Sequence, residues 1–155
     1  MDDIDAAVTW QARKVTYFFK GDKYWRFRNM APSPGYPKNI SIWSGLPANL
    51  DTAFALGKDE HLYFIKGQQY WKYNTRQARI ELGYPKSISL WKGFPESVDA
   101  ALRLSNGRSY VFKNMEQWRL NDKTKEASYA GKWLYGCLKK SLPIPQNDDN
   151  GKDIP

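Results

Sequence analysis

Three aspartates, Asp5, Asp51 and Asp99, recur at offsets of 46 and 48 residues, each opening an Asp-x-Ala triplet. Their type and spacing come nearest to a site. A carboxylate at the head of a strand can anchor it by accepting hydrogen bonds from nearby amides, and the small Ala two residues on suits a crowded axis. The other reactive residue types are scarce. His61 is the only histidine and Cys137 the only cysteine. A zinc hydrolase needs about three ligands around its metal, and one imidazole does not supply them. Haem ligation is weakened by the same count, so His61 reads as a half-exposed structural residue of a strand. Cys137 has no His or second Cys nearby in sequence to lower its pKa, which leaves a nucleophilic role unsupported. No catalytic function is read from these residues.

The elements that must carry the aspartates are repeated with them. Tyr17-Phe18-Phe19-Lys20-Gly21-Asp22-Lys23-Tyr24-Trp25-Arg26-Phe27 returns as Tyr63-Phe64-Ile65-Lys66-Gly67-Gln68-Gln69-Tyr70-Trp71-Lys72-Tyr73, and more loosely as Tyr110 to Leu120. Gly35-Tyr36-Pro37-Lys38-Asn39-Ile40-Ser41-Ile42-Trp43 returns as Gly83-Tyr84-Pro85-Lys86-Ser87-Ile88-Ser89-Leu90-Trp91. A period of about 40 to 50 residues points to a solenoid or propeller. Short apolar runs rich in Val, Tyr, Phe and Trp, bounded by Gly, Asn or Asp, read as strands. Gly21, Gly67 and Asn114 take the hairpin turns, where positive φ is required. Each unit is expected to hold an inner strand at its Asp-x-Ala triplet, a central hairpin and a short outer strand such as Arg79 to Leu82. Tyr17, Phe18 and Phe19 are apolar in succession, so both faces of that strand need cover, as radially stacked sheets provide. Lys38 to Ser44 and Lys86 to Lys92 each follow a Pro and stop before a Gly, which reads as a helical turn linking units. Trp25, Trp71 and Trp118 occupy equal positions, which favours packing between sheets over sugar stacking.

Composition agrees with this. Aromatics make up 15% of the 155 residues, with seven Trp and ten Tyr, which favours strands over helical bundles. No run of about 20 apolar residues is available to span a bilayer. The acidic opening Met1-Asp2-Asp3-Ile4-Asp5 does not look like an export signal. The net charge of +8 divides as +3, +3, +2 and 0 over residues 1–47, 48–95, 96–137 and 138–155, which reads as a solvated surface rather than a dedicated polyanion or nucleic-acid site.

The Asp-Ala-Ala opening, the Tyr-Phe-Phe-Lys-Gly-x-x-Tyr-Trp-Arg-Phe hairpin and the Gly-Tyr-Pro-Lys-x-Ile exit resemble the hemopexin repeat over residues 3 to 137. The ending Lys132-Trp133-Leu134-Tyr135-Gly136-Cys137 is similar to the finish of matrix metalloproteinase hemopexin domains, with one residue inserted. The resemblance implies an all-β propeller with three blades of an expected four, each a four-stranded antiparallel sheet with short linking helical turns. The blades are 3–47, 48–95 and 96–137, followed by a flexible tail over 138–155. It further implies that main-chain carbonyls at Asp5, Ala7, Asp51, Ala53, Asp99 and Ala101 line a channel and face calcium or sodium, with chloride a further candidate. For the side chains of the three aspartates, strand anchoring stays open beside this. Cys137 would pair with a Cys in a first blade upstream.

What the resemblance implies functionally is a non-catalytic exosite of an extracellular or cell-surface metalloproteinase. Its partners would be matrix proteins such as collagen, tissue inhibitors of metalloproteinases, or a second copy in a homodimer. The alternative is a free-standing carrier or a vitronectin-type protein binding matrix or glycosaminoglycan. With one blade of the ring upstream, two apolar blade faces are expected to lie open, worth on the order of 10 kcal/mol of unburied surface at about 25 cal/mol per Å², and to drive association.

Overall fold

The computed structural model describes residues 3–132, so Cys137, the Trp133 to Cys137 ending and the 138–155 tail lie outside the described residues. Three antiparallel sheets succeed one another along the chain. The first runs β1 (Ala6–Trp10), β2 (Val15–Lys20), β3 (Lys23–Arg28), with β4 (Ala31–Pro32) and β5 (Lys38–Asn39) both on the outer side of β3. The second runs β6 (Thr52–Leu56), β7 (His61–Lys66), β8 (Gln69–Asn74), with β9 (Arg79–Ile80) and β10 (Lys86–Ser87) on β8. The third is β11 (Ala100–Arg103), β12 (Ser109–Lys113), β13 (Glu116–Asn121) and β14 (Glu126–Lys132).

The expected outer strand is present in each sheet, but in the first two it is divided into two pieces of two residues. Pro34, Gly35 and Pro37 interrupt the first, and Gly83 and Pro85 the second; residues of these types weaken or cannot donate to a ladder. No such residue stands between Glu126 and Ala130, and β14 runs as one strand of seven residues whose pairing shifts register only near its end, at Gly131 with φ +94°. The linking turns also differ from expectation. Lys38–Asn39 and Lys86–Ser87 pair as strand, and the 3₁₀ turns are confined to Ile40–Trp43 and Ile88–Leu90. The reason is local: Asn39 Oδ1 accepts from the Ser41 N–H at 2.9 Å and Ser87 Oγ from the Ser89 N–H at 3.2 Å, so the cap, not the preceding Pro, sets the start. The hairpin turns are as expected, with φ of +57° at Gly21, +55° at Gly67 and +53° at Asn114.

Strand alternation sends one set of side chains of each sheet forward and the other back. Ala6, Val8, Phe19 and Tyr24 of the first sheet meet Ala53, Ala55, Leu62, Phe64 and Trp71 of the second. Phe54, Tyr63, Ile65 and Tyr70 on the opposite face of the second meet Val111, Leu120 and Ala127 of the third. Between each pair of sheets the linker drives in a tryptophan. Trp43 meets Tyr17 edge-on at 5.0 Å, Phe19 at 5.7 Å and Phe64 at 5.6 Å, while Trp91 lies 6.0 Å from Tyr63 and 6.1 Å from Tyr70. The second sheet is covered on both faces, and every residue of β6 is buried. The outer sheets are covered on one. Ala7, Phe18, Trp25 and Phe27 on the back of the first sheet are exposed or half-buried, and so are Ala100, Leu102, Tyr110 and Phe112 on the front of the third. These are the two open apolar faces the repeat count leads one to expect. Trp71 and Trp118 pack between sheets, whereas Trp25, at the same register position, lies on the open face.

Beyond Trp91 the chain passes so close to the third sheet that Lys92 bonds to it on both sides: its N–H donates to Lys125 O and its carbonyl accepts from the Ala127 N–H. Gly93 follows at φ +73°, and a Cβ there would stand 2.6 Å from the Ala127 carbonyl oxygen. Both the backbone conformation and the space demand glycine. Gly93→Ala is expected to destabilise the chain by about 2 kcal/mol or more, since left-handed φ alone costs an L-residue about 1–2 kcal/mol. Gly35→Ala, at φ +77° with nothing within 4 Å, is expected to lose only the conformational part. Urea midpoints of the two variants would separate clash from strain.

Candidate functional site

The inner strands β1, β6 and β11 lie side by side and enclose a cavity of about 350 Å³, lined by Ala7 to Thr9, Ala53 to Ala55 and Ala101 to Arg103. The structure thus brings Ala7, Ala53 and Ala101 together on one axis. It does not bring Asp5, Asp51 and Asp99 into that lining. Each carboxylate turns to the hairpin of its own sheet: Asp5 accepts from the Gly21 N–H at 2.7 Å, Asp51 from the Gly67 N–H at 2.6 Å and Asp99 from the Asn114 N–H at 2.7 Å. The same residues also donate their own N–H, at 2.9 Å, to Phe19 O, Ile65 O and Phe112 O. These aspartates tie the inner strand to the turn of the neighbouring hairpin. The Asp99 carboxyl is held below its usual range by the Asn114 amide and then by the Lys113 ammonium at 2.9 Å.

Among the described residues no three His, Cys, Asp or Glu side chains converge in a way that would hold a metal. A cation on the axis would therefore rest on neutral peptide oxygens. Hard cations take neutral oxygen donors of this kind. At the far end of the lining Arg103 is neutralised, donating to Gly57 O at 3.1 Å and lying 3.8 Å from Glu60. His61 stands outside the cavity. Its Nδ1 accepts from the Thr75 N–H at 3.3 Å, and burial followed by the Lys72 charge presses the imidazole below its usual pKa.

A second cluster, not anticipated from sequence, locks the second sheet to the third. Tyr63 OH donates to Asp122 Oδ1 at 2.6 Å, and Lys125 donates to the same oxygen while lying 4.9 Å from the Trp91 ring. Asn121 and Asn74 cap equivalent turns, so Thr75 and Ala78 are the counterparts of Asp122 and Lys125. The first two sheets lack this ionic tie because their repeat carries uncharged residues there. Burial would raise the Asp122 carboxyl, but hydrogen bonds from Lys125 and Tyr63 outweigh it and hold it below its usual range. A carboxyl depressed on folding contributes stability above its unfolded pKa of about 3.9 and loses it as pH falls through the folded value. Asp122→Ala is expected to cost about 1–3 kcal/mol at about pH 7. In urea titrations its deficit relative to the parent chain is expected to shrink below about pH 4.

The comparisons agree with this geometry. The hemopexin family model matches residues 4–48, 50–96 and 98–130. Matrix metalloproteinase-25 of Mus musculus is 44% identical over 48 residues, 30% of this chain and 8% of that protein. Vitronectin of Oryctolagus cuniculus is 53% identical over 55 residues, 34% of this chain and 12% of that protein. The chain thus aligns with about a tenth of the length of either relative. Among solved structures, a plant lectin with two metal binding sites from Cicer arietinum superposes with a TM-score of 0.68 at 20% identity, over 91% of this chain and 73% of that one, a likeness of fold alone. Three matches, each falling on one sheet and together covering most of the sequence, show that this chain belongs to the hemopexin family, with three of its repeats stacked as propeller blades.

Proposed function

We propose that the chain is the non-catalytic binding part of a matrix metalloproteinase, acting outside the cell or at its surface. It would hold a matrix protein such as collagen, a tissue inhibitor of metalloproteinases or a dimer partner near a catalytic domain elsewhere in the protein. The observation that carries this reading is the repeat identity shared with matrix metalloproteinase-25 on a scaffold of stacked sheets whose interior is apolar and aromatic. Such a scaffold presents surfaces. A tethered module of this kind raises the effective concentration of a polymer at the reacting bond, a gain of roughly 10²–10⁴ in avidity in typical cases, without contacting that bond.

The full chain is expected to bind immobilised triple-helical collagen saturably while cleaving no gelatin, with or without added zinc. Zinc-dependent gelatin cleavage that follows the protein through purification would overturn the non-catalytic reading. Binding is also expected to survive Cys137→Ser, since these 155 residues contain no second cysteine for it to pair with.

The axial cavity belongs to the same proposal as a structural site for calcium or sodium on the carbonyls of Ala7, Ala53 and Ala101, with chloride a further candidate. Calcium at about tenfold over its Kd is expected to stabilise the chain by about 1.4 kcal/mol, read as a rise in Tm. Asp51→Ala is expected to lower the baseline Tm but leave that increment intact, because its carboxylate serves the Gly67 turn. Loss of the increment in Asp51→Ala would make the carboxylate a ligand instead.

A further inference from the structure

The two joints between sheets are built alike, and only one of them is filled by a side chain of the protein itself. At the second joint Lys125 enters the aromatic slot. Its ammonium lies 4.9 Å from the centre of the Trp91 ring and 5.5 Å from that of Tyr63, and donates to Tyr63 OH at 3.3 Å as well as to Asp122. At the first joint a cavity of about 220 Å³ occupies the corresponding place, with Tyr17, Tyr36, Trp43, Tyr73, Ala78 and Arg79 in its lining. Register makes the correspondence. Arg79 pairs with Asn74 as Glu126 pairs with Asn121, so Ala78 holds the place of Lys125 and Thr75 that of Asp122. Ala78 and Lys125 even share a left-handed backbone, with φ of +54° and +53°. Where the second joint has a four-carbon ammonium stem, the first has a methyl group, and the slot stays open.

The walls and the charge narrow what enters it. Tyr17 meets the Trp43 ring edge-on at 5.0 Å and Tyr73 lies 4.9 Å from that ring, so the slot offers aromatic edges and faces to a flat guest. Its volume is below the roughly 300 Å³ at which sites for drug-sized molecules begin, which limits the guest to about one ring and a short chain. The sign of the charge is reversed between the joints. Asp122 neutralises the ammonium at the second, with Glu126 at the start of the outer strand; at the first, Thr75 and Arg79 hold those places. Burial raises the Tyr17 and Tyr73 hydroxyls, and the ions that act on them are cations, Arg26 and Arg13 on Tyr17 and Arg13 on Tyr73. Arg26 and Lys38 also lie 5.2 and 5.1 Å from the Tyr36 ring. The nearest carboxylate along the chain, Glu81, is held by Lys72 at 3.0 Å. Among the described residues Arg79 makes no ion pair, and its guanidinium makes one hydrogen bond, from Nε to Gln77 Oε1 at 3.3 Å. A cationic guest would meet like charge here, whereas a carboxylate would meet a guanidinium fork that matches it in geometry.

We propose that this cavity binds a small planar carboxylate, with its ring against Tyr17, Trp43 and Tyr73 and its carboxylate on Arg79. The site does not rest on the matrix partners or the axial ion proposed above, so its failure would leave that reading standing. The test uses the full chain and three probes that share a phenyl ring and a three-carbon chain but differ in charge: hydrocinnamate, hydrocinnamamide and phenylpropylamine. Each is titrated by calorimetry and by ligand-observed NMR. Hydrocinnamate is expected to bind with a Kd of about 1 mM or below, in keeping with its size, and at least about tenfold more tightly than the amine. Two variants, shown by thermal unfolding to remain folded, place it in the slot. Arg79→Gln is expected to lose about tenfold for the acid, the loss of one charge-assisted contact, and less than about threefold for the amide. Ala78→Met, which brings in a neutral stem of roughly the length of the lysine at the second joint, is expected to weaken acid and amide alike by about tenfold or more. Binding of the amine as tight as that of the acid would overturn the proposal. So would an acid that binds Ala78→Met as tightly as the parent chain, or no saturable binding of hydrocinnamate up to about 10 mM.

Discussion

Everything in this fold depends on a tryptophan carried by the linker and driven between consecutive sheets. A sheet whose two faces are both apolar is unstable alone, and a linker of a few residues does not by itself fix the angle at which the next sheet arrives. Trp43 and Trp91 settle both matters, each wedged among three or more aromatic rings at the joint. Burying an indole of about 200 Å² contributes on the order of 5 kcal/mol. The indole N–H of each finds no protein partner, which costs about 1–3 kcal/mol. Burial wins, and the aromatic geometry adds direction to it.

From that joint the remaining features follow in order. The 3₁₀ turn aims the tryptophan, and Asn39 and Ser87 cap it. Gly93 is glycine because the chain leaving Trp91 presses on the third sheet. The Asp-to-turn bonds of Asp5, Asp51 and Asp99 hold each inner strand to its own hairpin, so the strand lining the axis is fixed at one end in every repeat. The second joint is reinforced by the Asp122–Lys125 ion pair, while the first is held by aromatic and aliphatic packing and by the Ala12 N–H donating to Glu60 at 2.8 Å.

Such a scaffold leaves its axis, its rim and its two outer faces uncovered. The axis is a narrow space lined by the three inner strands. The rim between the second and third sheets gathers basic side chains from three segments. The two uncovered faces, on the first sheet and the third, present the side chains that elsewhere pack one blade on the next: Phe18 and Trp25 hold the positions of Phe64 and Trp71, and Phe112 that of Ile65.

The repeat, the strands, the positive-φ turns and the family were all legible in the amino-acid order, because each rests on local spacing: hydrophobic runs of strand length, Gly or Asn at a fixed offset, and markers recurring in one order. Three alanines fall on a common inner-strand position for the same reason, since equal register in a repeat means an equal place in space. Division of the outer strand is present in Pro34, Gly35 and Pro37 but reads from sequence as a helical start, as a cap two residues later is a weaker signal than a proline. The rest came from three-dimensional packing. That the three aspartate carboxylates face turns and not the axis depends on rotamers set by the hairpin of each sheet. The Tyr63–Asp122–Lys125 tie joins residues about 60 positions apart whose counterparts in the other repeat are uncharged, so repetition argues against it. The basic rim takes Lys58 from one repeat and Arg108, Arg119 and Lys123 from the next; a linear count of charge averages over repeats, whereas the potential at a point depends on distance in space.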